Sequence, residues 1–343
     1  MKVIIIGGGA SGMMAALSAR EQGAEVTLLE RQARVGKKLL ATGNGRCNLS
    51  NTKLTSKNYH GQDAKFADFA LSSFNTEKTL EYFETLGLIT VVEPSGKVYP
   101  LSDQAGSVVD VLRLALEEAG VEVRTAFEVT TLKKGKKGGF QIASKEETLQ
   151  ADSVIICCGG MAGAKVGGTQ SGYELLKSMG HTMTKLFPVL VQIKTDPTYV
   201  KALKGVRADG AVLVERNGKV LAENEGEIQF TDFGVSGPAI FEISRAISTG
   251  KSPLTIHLNL LRNLNHEEIV SLLHNRKKMM PNQTLENFLT GILHNRLGRT
   301  ILRYAGFGFT DPIRTLKSSD IKRIAHAIQD FEIPVIGPMG FDA

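Results

Sequence analysis

Three glycines spaced Gly7-x-Gly9-x-x-Gly12 stand directly after Val3-Ile4-Ile5-Ile6 and directly before a run with helical periodicity. Those residues at that spacing suit dinucleotide binding. Gly7 permits a tight turn, Gly9 lets a pyrophosphate approach the backbone, and Gly12 lets the helix pack close on the strand. Ala10 and Ser11 lie at the start of that helix, where free N–H groups and the positive dipole end favour phosphate. Glu30 ends the next apolar strand, 18 residues after Gly12. A carboxylate there accepts hydrogen bonds from ribose hydroxyls and repels a 2′-phosphate.

A second segment with chemistry in it runs from Gly36 to Asn51 and contains Gly43-Asn44-Gly45-Arg46-Cys47-Asn48. Glycines expose backbone N–H groups, Arg46 offers a forked cation, and Asn48 both donates and accepts. Cys47 has two readings. Beside Arg46 its thiol could ionise and react, whereas a thiol among glycines more commonly fills space; packing is the preferred reading.

Other chemistry is excluded. The 7 histidines show no HxxxH or HExxH spacing, so no metal site is expected. There is no P-loop, no GxSxG and no Ser-His-Asp pattern. The 3 cysteines, Cys47, Cys157 and Cys158, give neither a disulfide framework nor a CxxC pair, which fits a reducing cytoplasm. Glycines at 7–9 interrupt the apolar N-terminus, so neither a signal peptide nor a membrane span is expected. A formal charge of +6 invites nucleic acid, but the basic residues cluster in only two short runs. Lys133 to Gly139 reads as an exposed hairpin tip, and Arg276-Lys277-Lys278 closes a helix, where cations complement the dipole. Both runs read as solvated surface, and no nucleic-acid partner is expected.

The elements that must position these residues follow from periodicity. A strand at 3–6, a helix from Ala10 to about Gln22 and a strand at 25–30 open a parallel sheet. Helices are expected at about 63–87, 104–119 and 171–179, with strands near 121–132, 139–144 and 152–158. After Pro188 the pattern becomes antiparallel, with turns expected at Asp209-Gly210 and Asn217-Gly218 and a strand beginning at His181. A helix with Pro238 at its first position and Ser236 as its cap interrupts this region. Residues 264–330 read as helical. His257, in an alternating strand, reads as structural.

Gly36-Lys37-Lys38-Leu39-Leu40-Ala41-Thr42-Gly43-Asn44-Gly45-Arg46-Cys47-Asn48-Leu49-Ser50-Asn51 resembles the signature of the aminoacetone-oxidase-like flavoproteins, a family that includes bile-acid 4,6-reductases. Further matches are Lys97-Val98-Tyr99-Pro100 with Ala105 to Val109, and Asp152 to Gly160, where Cys157-Cys158 replace the usual Ala-Thr. Phe230-Thr231-x-x-Gly234-x-Ser236-Gly237-Pro238 also matches, with Asp232 where His is frequent. Cys157 and Cys158 read as buried apolar residues rather than a redox pair.

The resemblance implies an α/β protein: a Rossmann-like parallel-sheet FAD-binding domain (1–188) with an inserted β-plus-helical domain (189–333; β-rich 189–258, helical 264–330) that roofs the flavin. Residues 334–343 would begin the return to the FAD domain. It also implies FAD as cofactor, held by Gly7, Gly9, Ala10, Ser11, Gly12, Glu30, Arg31, Lys38, Gly43, Asn44, Gly45, Arg46, Cys47, Asn48, Val129, Gly159 and Gly160. No catalytic side chain is assigned. No second GxGxxG occurs, since Gly306-Phe307-Gly308 lacks the third glycine, so the flavin is expected to exchange hydride with a visitor. Dioxygen would make the protein an oxidase of a small amine; transient NAD(P)H would make it a reductase of a conjugated C=C bond. In the family a further segment carrying Gly-Gly-Tyr-Asn follows position 343, so weaker FAD binding and poor turnover are expected of this form. A flavin-binding protein with little turnover is the alternative.

Overall fold

The computed structural model describes residues 1–136 and 138–342; Lys137, in the expected hairpin tip, lies outside them. The chain forms two units, Met1–Lys185 and Leu186–Phe341.

The first unit is built on a four-stranded parallel sheet in the order Ser153–Ile156, Lys2–Ile6, Glu25–Leu29, Glu122–Arg124. Ile4 pairs with Val154 on one side and with Thr27 on the other. The two central strands are buried along nearly their whole length. That is why they read as continuous apolar runs rather than alternating ones. On one face Val3, Ile5, Val26 and Leu28 pack with Met13, Ala16 and Leu17 of the helix Ala10–Glu21 and with Leu112 and Leu116 of the helix Ala105–Glu118. On the other, Ile4, Ile6 and Leu29 pack with Phe127, Val129 and Ile142. This sandwich is the Rossmann-like α/β arrangement, and it fixes the loops after Ile6 and Leu29 side by side.

The helix expected over 63–87 is broken. A 3₁₀ turn at Ala64–Ala67 and a short helix Asp68–Ser73 end at Phe74, and a new helix runs Thr76–Thr85. Asn75 explains the break: its side chain accepts from the Lys78 N–H, capping a new start instead of continuing the old helix.

The second unit contains a closed six-stranded barrel in the order Ile193–Thr195, Gly234–Ser236, Lys219–Phe230, Arg207–Arg216, Thr255–Asn259, Phe331–Pro338. Its interior holds Ile193, Phe230, Val235, Ile256, Leu258 and Phe331, joined by Ile240 and Ile243 of the helix Pro238–Thr249. Several expectations are corrected here. Asp209-Gly210 is no turn but part of a strand, where Gly210 pairs with Gly226. A Cβ at Gly210 would come within 2.7 Å of the Asn259 carbonyl, so close strand packing, not turning, requires glycine there. The true hairpin tip is Asn217-Gly218, both with positive φ. Ser236 is buried in a strand and does not cap; Gly237 occupies the cap position. No strand begins at His181. Residues 334–338 belong to the barrel strand that pairs with Ile193–Thr195 and Thr255–Leu258.

The run Arg276-Lys277-Lys278 does close a helix, His266–Met279, but only Lys278 is simply solvated. Arg276 donates to the carbonyls of Phe288 (2.6 Å) and Thr290, and Lys277 to that of Leu316. These cations tie the following loops to the helix end. Among the described residues no helix is long and apolar enough to cross a membrane.

Candidate functional site

The loop after Ile6 separates two duties that glycine can perform. Gly7 has φ +109°, and a Cβ there would sit 2.4 Å from the Cys157 carbonyl. At Gly12 a Cβ would sit 1.8 Å from the Gly7 carbonyl. The protein's own packing therefore demands both. Gly9 is different: its backbone is extended (φ −81°, ψ −172°), and a Cβ would meet nothing within 4 Å. The space beside Gly9 is open, and it lies at the N-terminus of the helix Ala10–Glu21. No side chain caps that end, and no acid occupies its first turn. Its free N–H groups and dipole make it a place for an anion.

Glu30 is held across from this loop. Its Oε2 accepts from the Gly8 N–H and its Oε1 from the Gln32 N–H, both at 2.7 Å. Each oxygen keeps a lone pair free. A cavity of about 350 Å³ joins these features and brings together Gly7, Gly9, Ala10, Ser11, Glu30, Arg31, Lys38, Val129 and Gly159. Arg31 donates to the Gly167 carbonyl (3.1 Å) and Lys38 to that of Ala162 (2.8 Å), so both fasten the glycine-rich loop after Gly159.

The remaining expected residues lie elsewhere. Cys47 and Asn48 line a second cavity of about 390 Å³, which shares Ala10, Ser11, Leu39 and Thr42 with the first. The two spaces thus flank the same helix start. Gly12, Gly43, Asn44, Gly45, Arg46 and Gly160 line neither. Arg46 turns its fork away to Glu93 (2.9 Å) and Asp103, with its guanidinium 3.9 Å from the centre of the Tyr99 ring. It ties the loop holding the left-handed residues Gly43, Asn44, Gly45 and Cys47 to the strand Lys97–Pro100 and its flanks. We expect Arg46→Ala to speed amide exchange across residues 43–49 while leaving the helix Ala10–Glu21 protected. Unchanged exchange in that loop would show that Arg46 does not hold it.

Phe127, Thr169, Ser171 and Leu175 also line the first cavity and were not foreseen. The glycine pair Gly167-Gly168 before the helix Ser171–Ser178 was the available signal.

Burial pushes the thiols of Cys47 and Cys157 up, and that of Cys158 to about 11 from an ordinary 9.0. All three are free; Cys47 is buried as expected, but Cys157 and Cys158 are only half-buried and line the first cavity, and their raised thiols disfavour thiolate chemistry there. Between pH 9.0 and about 11 the unfolded chain releases the Cys158 proton while the folded chain keeps it. That contribution to stability is complete below 9.0 and is lost as pH rises through the window. Cys158→Ala is therefore expected to flatten the alkaline fall in melting temperature; an identical fall in both proteins would contradict it.

An open extended glycine, an uncapped helix start and an acid with spare lone pairs fit the pyrophosphate and adenosine ribose of FAD. Residues 1–306 match the HI0933-like protein Rossmann domain family. The chain is 37% identical over 346 aligned residues to the 3-dehydro-bile acid delta(4,6)-reductase of Clostridium scindens, covering 99% of this chain and 84% of that protein. It is 26% identical over 341 residues to the ribosomal RNA dihydrouridine synthase of Escherichia coli, covering 98% and 82%. Among solved structures, the open conformation of a flavocytochrome c3 fumarate reductase aligns with 98% of this chain and 66% of that one, at 16% identity and a TM-score of 0.44.

Proposed function

Given that the chain belongs to the HI0933-like protein family and is an FAD-dependent oxidoreductase, we propose that it reduces a C=C bond conjugated to a carbonyl, with NAD(P)H as transient donor. The observation that carries this reading is the 37% identity, over nearly the whole chain, to a delta(4,6)-reductase. A dihydrouridine synthase among the relatives points the same way, since uracil also presents a C=C next to a carbonyl.

When bound, the flavin supplies hydride transfer. What the chain's residues contribute is binding and orientation. In our reading the Gly9 loop and the first turn of Ala10–Glu21 receive the pyrophosphate, and Glu30 accepts from the ribose. Cys47 and Asn48, lining the adjoining apolar space, would border the flavin end. Net reaction then adds a hydride and a proton across the C=C and oxidises the nicotinamide, so no dioxygen is consumed.

The test is anaerobic incubation of the FAD-loaded protein with NADH or NADPH and a 3-oxo-4-ene steroid, following loss of the enone absorbance. Enone loss matched by nicotinamide oxidation is expected. Inertness towards conjugated enones, together with hydrogen peroxide formation from a small amine in air, would overturn the reductase reading.

A further inference from the structure

In the second unit, the helix Asn295–Tyr304 carries Arg296, Arg299 and Arg303 at a spacing of three and seven, so all three project from one face. The opposite face, with Leu297, Ile301 and Leu302, is sealed in the core. The three arginines line a cavity of about 290 Å³ whose other walls include Tyr199, Phe309 and Thr198. Glu286 is the only acid in that lining, which therefore carries a net charge of +2.

Little of the arginine hydrogen-bonding capacity is used within the protein. Arg299 pairs with Glu286 at 3.2 Å. Arg296 makes one long contact, 3.4 Å, to the Ala202 carbonyl. Arg303 lies 5.9 Å from the centre of the Phe309 ring and has no carboxylate partner among the described residues. Each guanidinium offers five N–H donors in a fixed fork. Like charges one helical turn apart also repel unless an anion lies between them. A carboxylate would neutralise only half of the +2. A phosphate monoester matches both the charge and the forked geometry, and the ring walls suit a planar base attached to it.

We propose that this cavity binds the terminal phosphate monoester of a nucleotide, either free or at the end of an RNA strand. It stands on residues of the second unit alone and is independent of the reductase reading. The spacing is not conspicuous in the sequence, because Leu297, Gly298, Thr300, Ile301 and Leu302 separate the arginines and only helical winding gathers them.

The test uses the full chain saturated with FAD, so that the dinucleotide cleft is closed to competitors. Binding of inorganic phosphate, AMP and a fluorescent oligouridylate bearing a terminal phosphate is measured at low and high salt, for wild type and for Arg296→Ala/Arg303→Ala. We expect wild type to bind phosphate-bearing probes with an affinity that falls as salt rises, and the double variant to lose about 10-fold or more. A steeper salt dependence for the oligouridylate than for AMP identifies a strand as the ligand; equal affinity for AMP identifies a free nucleotide. Because both arginines are exposed, the melting temperature should stay unchanged, and Arg296→Lys/Arg303→Lys should keep part of the affinity. No binding of any probe at low salt, or equal binding by the alanine variant, overturns the proposal.

Discussion

Gly9→Val is expected to give a folded protein that purifies without flavin. The backbone at Gly9 is extended, a conformation valine adopts readily, and the added side chain enters empty space. Nothing in the protein resists the substitution; only the ligand does. The isopropyl group would fill the place where the pyrophosphate meets the helix start, so FAD affinity should fall at least about 100-fold, roughly 3 kcal/mol. The melting temperature of the flavin-free protein should match that of flavin-free wild type. Gly12→Val supplies the contrast. Its Cβ would overlap the Gly7 carbonyl, so that variant should fail at folding and yield little soluble protein. If Gly9→Val retained full flavin occupancy, the pyrophosphate would not lie where the open glycine indicates.

Glu30→Ala has the next largest expected effect on the cofactor. Its two oxygens orient the Gly8 and Gln32 N–H groups, and their spare lone pairs face the cavity. Alanine leaves two backbone donors and the ribose hydroxyls without an acceptor, a loss of about 1–3 kcal/mol in binding. Affinities for FAD and for AMP should fall together, by about 5- to 150-fold. Glu30→Gln should not restore them, because its amide places N–H groups against one of the same N–H donors. An unchanged FAD dissociation constant in Glu30→Ala would remove this acid from the site.

The legible part of the molecule was local. Gly7-x-Gly9-x-x-Gly12 and Glu30 sit on consecutive elements joined by one short helix, so sequence spacing fixes their spatial relation. The motif already set Gly9 apart from Gly7 and Gly12; what needed the structure was the atom that crowds Gly7, the carbonyl of Cys157, which lies 150 residues away. Arg46 shows the same limit. Its residue type suggested a cation for the cofactor, yet Glu93 and Asp103 come within reach only after the chain has folded back. The barrel was invisible for a related reason. Its closing strand, Phe331–Pro338, pairs with Ile193–Thr195 across more than 130 residues of chain, and alternation alone names strands without naming partners. At Asp209-Gly210 a strong turn signal lost to strand pairing with Gly226 and Glu227, and glycine was needed for closeness to the Asn259 carbonyl. Asn75 shows the opposite outcome: a local cap overrode the longer helical pattern.

The reductase reading comes down to where the flavin obtains its electrons. The most direct measurement is the visible absorbance of the FAD-loaded protein under anaerobic conditions, before and after addition of NADH or NADPH without any other substrate. At least one nicotinamide should bleach the flavin bands, and those bands should recover when a conjugated enone is then added. A flavin spectrum that neither nicotinamide alters, but that a small amine bleaches and air restores, would contradict it.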